Sequence, residues 1–270
     1  MMKLMMIVNR PDIARFVAQC GVDRIFVDLE YLGKQERQGH LDTWLSRHVP
    51  ADISRVRDAI GDTTLLVRLN PWHAGSSEEI EDAIARGADI LMLPMFHQVT
   101  EVEAFCAVVG GRLPVIPLVE TAAALDALPE VARVPGVAEV FIGLNDLHLS
   151  LGLKFMFEPL ADGLLDRAAA QLRPLGVPFG FGGLARVGEG LLPAERIIGE
   201  HVRLGSSAAI LSRTFHRQAA DVQAMQSEMD FPGELARLRA AFDEYSKADE
   251  ATLAANHAEV VRIVREIAGR

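Results

Sequence analysis

Ile90-Leu-Met-Leu93, Thr100-Glu-Val-Glu-Ala-Phe-Cys-Ala-Val108 and Val115-Ile-Pro-Leu-Val119 follow one another in the chain and decide its fold. The first and third are short, nearly continuous apolar runs, the pattern of strands buried on both faces. The segment between them has the length and spacing of a helix. Gly110 stands just past its end, where glycine stops helices. The same alternation extends in both directions. Further strand-like runs are Leu4–Val8, Arg24–Asp28, Leu65–Leu69, Val140–Leu144, Val177–Phe181 and Ala208–Leu211. Helix-like segments lie between them at Pro11–Gln19, Ile53–Ile60, Ser77–Arg86, Ala122–Ala127, Leu160–Leu172 and Glu195–Arg203, and Gly21, Gly87 and Gly176 mark helix ends. Eight strand–helix units in 270 residues predict an α/β fold, the (β/α)8 TIM barrel. A doubly wound open sheet is the competing arrangement. The first strand is not followed by a glycine fingerprint, which disfavours a dinucleotide-binding version. Gly180-Phe-Gly-Gly183 near strand seven permits either close approach of a ligand or tight barrel packing.

Residues 1–270 read as one barrel domain, with 233–270 a helical extension. Glu234–Tyr245 and Ala251–Ile267 are both helix-like, one helix more than a barrel needs. Leu235, Leu238, Phe242, Leu253, Val260, Val264 and Ile267 form an amphipathic stripe that needs a partner surface. Its own barrel or a neighbouring subunit would supply one.

Half the residues are hydrophobic, 24% are charged and the net charge is −10. That balance argues against nucleic acid, which calls for a basic stripe. No apolar run approaches the ~20 residues of a membrane helix. Met1–Val8 reads as a first strand rather than a signal peptide. Cys20 and Cys106 have no metal-like spacing and read as buried free thiols. A soluble, cytoplasmic protein is the expectation.

A barrel opens its active site at the C-terminal ends of its strands. Glu120 follows the run ending at Val119, and Asp146 follows Val140-Phe-Ile-Gly-Leu-Asn145. Two carboxylates ending neighbouring strands suit one hard divalent cation, Mg2+ or Mn2+, with room left for substrate oxygens. A rim salt bridge, or a helix N-cap for Asp146, is the alternative. Arg68 in Val67-Arg-Leu-Asn70 is a charge inside a strand signal. It reads either as a donor fork for a carboxylate or enolate oxygen, or as a structural partner of Asp28 or Glu30. Asp28 and Glu30 point the same way from the end of strand two. His40 and His48 fall in the long loop Tyr31–Pro50, and Met95 ends strand four.

At these residues the sequence resembles the HpcH/HpaI aldolase and citrate lyase beta-subunit family. The matching pieces are Val27-Asp-Leu-Glu30, Val67-Arg-Leu-Asn70, Gly87-Ala-Asp-Ile-Leu-Met-Leu-Pro94, Pro117-Leu-Val-Glu-Thr121 and Phe141-Ile-Gly-Leu-Asn-Asp-Leu-His-Leu-Ser-Leu-Gly152. The resemblance implies a barrel with C-terminal helices exchanged between subunits of a homo-oligomer. It implies Mg2+ or a similar ion (Mn2+, Co2+) on Glu120 and Asp146, and Arg68 on the enolate oxygen. It implies backbone at Gly143, Leu144 and Asn145 holding the substrate carboxylate. Aldolases of the family place a histidine after the strand-two acid, where this chain has Tyr31. The general base then falls to a metal-bound water, His40 or His48.

The expected activity is a metal-dependent carbon–carbon lyase that cleaves or forms a 4-hydroxy-2-oxo acid through a pyruvate enolate. Asp28, Glu30, Arg68 and His40 are its expected catalytic residues, and a 2-oxo acid and an aldehyde its partners. A citryl- or malyl-CoA-type lyase or thioesterase is the second expectation, with Arg37, Arg47, Arg55 and Arg57 available for phosphates. A catalytically reduced binding barrel is the third.

Overall fold

A computed structural model describes residues 2–33, 48–215 and 219–269. Eight parallel strands close in chain order: β1 (Lys3–Ile7), β2 (Arg24–Asp28), β3 (Thr64–Arg68), β4 (Ile90–Leu93), β5 (Val115–Val119), β6 (Val140–Ile142), β7 (Phe179–Leu184) and β8 (Ala208–Leu211). β8 pairs back to β1, so the expected barrel is the fold and the open sheet is not. The helices among the described residues are α1 (Pro11–Gln19), α2 (Ala51–Ile60), α3 (Ser76–Ala85), α4 (Val99–Val109), α5 (Ala122–Asp126), α6 (Leu128–Val131), α7 (Leu144–Ser150), α8 (Glu158–Ala161), α9 (Leu164–Leu172), α10 (Ala194–Leu204), α11 (Val222–Glu228), α12 (Phe231–Tyr245) and α13 (Glu250–Ala268). None among the described residues is long and apolar enough to cross a membrane. Both cysteines are free thiols. Cys106 is buried, which pushes its thiol up to about 11, whereas Cys20 is only half-buried.

Strand alternation splits the apolar side chains into two cores. Met5, Phe26, Leu66, Met92, Leu118 and Phe141 fill the barrel interior, and the opposite faces pack against the helices. Four strands differ from the sequence reading: β1 and β3 each lie one residue earlier, and β6 and β7 differ by more. β6 stops at Ile142 because helix α7 starts two residues later, with Gly143 as its cap. β7 starts at Phe179, after Pro178, and runs to Leu184 across a register shift between Gly180 and Gly183. Gly180 is a packing glycine: a Cβ there would stand 2.6 Å from both the Phe141 ring and the Ala208 carbonyl oxygen. Gly182 takes a positive φ of 57° inside the irregular stretch, so it does not end the strand.

The N-terminal end of the barrel is closed by a charge pair. Arg24, at the start of β2, donates to both oxygens of Glu139, at 3.0 and 2.8 Å. Both side chains are buried. Removing one partner strands the other charge in a medium that solvates it poorly. Glu139→Ala is expected to cost about 3–5 kcal/mol, read as a lowered denaturation midpoint in urea.

Part of the apolar stripe of the C-terminal helices packs within the chain. α12 lies on α10, and α13 lies on α10 and α8. Leu235, Leu238, Val260 and Val264 are buried there. Asn256 locks the contact: its amide nitrogen donates to the Arg196 carbonyl at 3.0 Å, and its oxygen accepts from the Tyr245 hydroxyl at 2.9 Å. Gly199 makes room, since a Cβ there would overlap the Asn256 amide. Phe242 and Leu253 are only partly covered, and Ile267 of the same stripe is exposed. The break between α12 and α13 is real: Asp249 caps α13 by accepting from Thr252 N–H.

His201, on α10, is fully buried and stacks on Phe181 with ring centroids 3.8 Å apart. Burial pushes its pKa down from 6.5 to about 3. Between those values the unfolded chain holds a proton that the folded chain does not. Stability is therefore full above pH 6.5 and falls as pH drops below it, by about 1.4 kcal/mol per unit. His201→Phe is expected to flatten this acid limb in urea titrations run from pH 7 to pH 5.

Candidate active site

Inward parity along neighbouring strands assembles the site. Phe26 and Asp28 of β2 turn into the barrel, as do Leu66 and Arg68 of β3, so Asp28 and Arg68 form a layer above Phe26 and Leu66. Asp28 and Arg68 are register partners. Arg68 Nε donates to Asp28 Oδ1 at 2.8 Å and Nη2 donates to Oδ2 at 2.7 Å. Its guanidinium carbon lies 5.5 Å above the Phe26 ring, a cation–π contact. Nη2 is 3.4 Å from Glu30 Oε2, and Nη1 is 3.9 Å from Glu120 Oε1. Burial opposes the arginine's charge, but Asp28, Glu30 and Glu120 outweigh it and raise its pKa well above the ordinary value. Of the two readings of Arg68, the ion pair is present and the fork is turned onto Asp28. Nη1, on the Glu120 side, is the nitrogen not engaged with Asp28.

Asp28 is fixed from several directions. Its Oδ1 also accepts the Glu30 N–H at 3.2 Å, and its own N–H donates to His48 Nδ1 at 2.9 Å. The next turn is clamped by Asn70, whose Oδ1 accepts from both Tyr31 N–H and Leu32 N–H at 3.0 Å. Asn70 is held in turn by Glu79 of α3, which also engages His73. The Tyr31 side chain is 68% exposed.

Glu120 follows β5 and is buried. Gly143 presses against it: a Cβ at 143 would stand 2.6 Å from Glu120 Cγ and 2.7 Å from Oε1. The Gly143 N–H donates to the Val119 carbonyl at 2.9 Å, which holds this close approach. Asp146 is buried in the first turn of α7, three residues beyond the cap position that Gly143 occupies. It is thus neither a strand-end residue nor the N-cap. His148 is also buried, its Nδ1 bonded to the Leu144 carbonyl at 3.2 Å.

Among the described residues no three or more His, Cys, Asp or Glu side chains gather as a metal cage. The residues present nevertheless fit a hard divalent cation of the Mg2+ type, which binds through one or two carboxylates and keeps other positions for water and substrate. Glu120 and Asp146 supply hard oxygens from consecutive β-to-α junctions, and the missing Cβ at Gly143 leaves the Glu120 carboxylate uncrowded.

His40, Arg37 and Arg47 lie outside the described residues. Arg57 bonds Asp89 at 2.6 Å beside the start of β4, at the end of the barrel opposite the site, so it does not serve a ligand there. Arg55 pairs with Asp52. Two features carry no sequence signal: the bond from Asp28 to His48, and Met95, the one non-glycine residue with positive φ (51°) among the described residues. Met95 follows β4, so the backbone strain lies at the functional rim.

The family model for HpcH/HpaI aldolase/citrate lyase matches residues 3–158, a span containing Asp28, Arg68, Glu120 and Asp146. No curated protein matches the chain. Among solved structures, an HpcH/HpaI aldolase from Desulfitobacterium hafniense DCB-2 is 16% identical, with a TM-score of 0.61 over 86% of this chain and 95% of that one. The citrate lyase beta subunit from M. tuberculosis, complexed with oxaloacetate and magnesium, is 19% identical, with a TM-score of 0.59 over 89% and 96%. Protein CitE from Mycobacterium tuberculosis, in complex with magnesium and pyruvate, is 17% identical, with a TM-score of 0.62 over 96% and 97%. At these identities the likeness shows the fold.

Proposed function

The chain belongs to the HpcH/HpaI aldolase/citrate lyase family, and from that premise we propose that it is a divalent-metal-dependent carbon–carbon lyase acting on a 4-hydroxy-2-oxo acid. The observation that carries the reading is Arg68, clamped by Asp28 with Nη1 on the Glu120 side. Glu120 and Asp146 would hold the cation, Mg2+ or else Mn2+ or Co2+. That ion, when bound, supplies Lewis acidity toward the carboxylate and keto oxygens of the 2-oxo acid. Backbone at Gly143, Leu144 and Asn145 is assigned to the substrate carboxylate.

In the cleavage direction the proton leaves the 4-hydroxyl and the C3–C4 bond breaks. The aldehyde departs, and the electron pair passes to the pyruvate enolate. Arg68 Nη1 donates toward the enolate oxygen as charge develops there. A proton returned to C3 gives pyruvate. Asp28 and Glu30 keep the guanidinium charged and aimed, while His40 remains a candidate base.

The second reading is a citryl- or malyl-CoA-type lyase or thioesterase, which a basic patch for the CoA phosphates would favour; Tyr31, standing where the aldolases have histidine, motivates instead the third reading, a binding barrel. Pyruvate release from a panel of 4-hydroxy-2-oxo acids, with Mg2+, Mn2+ or Co2+, is the expected result. Turnover of acyl-CoA esters alone would overturn it in favour of the second reading. No turnover of either panel would leave a binding barrel. A cytoplasmic homo-oligomer belongs to the same proposal. Tyr31, Val49, Leu149 and Leu191 leave apolar surface around the rim, and a monomer in sedimentation velocity would reject the assembly.

A further inference from the structure

Position 31 does not supply a histidine, and the structure brings one to β2 from elsewhere in the chain. Alternate residues of a parallel strand bond to opposite neighbours. Phe26 accepts from Val8 of the β1 side, while Leu29 donates to Arg68 of β3. The Asp28 N–H therefore faces the β1 side. β1 ends at Ile7, and the chain leaves toward α1 at Pro11. The donor that would continue this ladder is taken instead by His48 Nδ1, at 2.9 Å.

That bond fixes the imidazole's chemistry. A nitrogen that accepts carries no proton, so the neutral ring bears its hydrogen on Nε2. In this state Nε2 donates and is not a base. The ring is itself anchored through its neighbour: Val49 N–H donates to Asp52 Oδ2 at 2.8 Å, and the same oxygen accepts from the Asn9 amide at 3.2 Å. Asp52 is buried in the first turn of α2. A continuous chain of contacts thus runs from α2 through His48 to the Asp28 main chain, and through the Asp28 carboxylate to Arg68.

We propose that His48 is a positioning residue for the lyase reaction: a neutral, Nε2-protonated imidazole that holds the end of β2 and thereby aims the Arg68 guanidinium. The proposal rests on the lyase reading, and its test includes readouts independent of turnover. In the full-length enzyme with 15N-labelled histidine, the His48 ring at pH 8 is expected to show an unprotonated Nδ1 and a protonated Nε2. Asparagine places an acceptor oxygen near the position of Nδ1, whereas glutamine reaches the position of Nε2. His48→Ala is expected to speed hydrogen exchange at the Asp28 amide. It is also expected to lower kcat about tenfold to hundredfold, the scale of a displaced rather than deleted donor. The KM for the 2-oxo acid should change less than about threefold, because the loss falls on the transition state. His48→Asn is expected to restore both the protection and most of the kcat, and His48→Gln neither.

A protonated Nδ1 in the wild-type enzyme would overturn the proposal. So would unchanged Asp28 exchange in His48→Ala, or rescue by glutamine and not by asparagine, since that would put the function on Nε2. If the wild-type enzyme turns over no member of the panels, the lyase reading fails. The tautomer and the exchange measurements then decide whether His48 anchors β2.

Discussion

Glu120→Ala and Asp146→Ala are each expected to abolish metal-dependent turnover, a fall of roughly 10³-fold or more, since a bound cation supplies several kcal/mol of charge stabilisation. The two carboxylates are placed by different routes. Glu120 continues the inward parity of β5 and is pressed by Gly143, whereas Asp146 comes from the first turn of α7. If they hold the cation as proposed, loss of either removes half of the protein's carboxylate ligands. The effect is read by titrating Mg2+ or Mn2+ into each variant by calorimetry, with turnover measured beside it. Unchanged metal affinity in Asp146→Ala would remove that residue from the site. In Glu120→Ala the fold is expected to survive, because Asp28 and Glu30 still pair with Arg68.

Arg68→Lys is expected to lower kcat by about 10²–10³, the usual loss when a donor aimed at a developing oxyanion is removed. Lysine keeps one positive charge but has no planar fork. The two bonds to Asp28 at 2.8 and 2.7 Å use one edge of that fork and leave Nη1 on the Glu120 side. An ammonium group that pairs with Asp28 has no second, fixed nitrogen to present there. Wild-type turnover in Arg68→Lys would make the arginine purely structural. Arg68→Ala is a different experiment: it leaves Asp28, Glu30 and Glu120 without their shared cation, and a stability loss of about 3–5 kcal/mol is expected.

The barrel was legible because its strands are short apolar runs and its helices end at glycines. Arg24–Asp28, Ile90–Leu93, Val115–Val119 and Ala208–Leu211 are strands with the bounds read from sequence. β6 and β7 were not, because a glycine inside an apolar run does not say whether the chain ends, bends or continues. Gly143 ends β6 by capping a helix, while Gly182 sits in a bulge that β7 crosses. The Asp28–Arg68 layer follows from period-two alternation. The anchoring of Asp28 by His48 does not, because the bond joins side chain to backbone across twenty residues and leaves no periodic trace. The stripe on α13 was legible as a stripe, but its packing on α10 and α8, and the room that Gly199 makes for Asn256, are matters of three-dimensional fit.

The pairing of β1 with β8 sets the order of events during synthesis. β1 receives its second neighbour only when Ala208–Leu211 has been translated, about 200 residues later. At ribosomal speeds of about 5–20 residues per second, that interval is roughly 10–40 s. Throughout it, one edge of the nascent sheet is an open template for foreign strands, and the inward faces of Met5 and Phe26 have no roof. Arg239, on α12, then bonds back to the Gly21 carbonyl and to Asp23. Helix α12 thus clasps the turn between α1 and β2, closing a span of 216–218 residues.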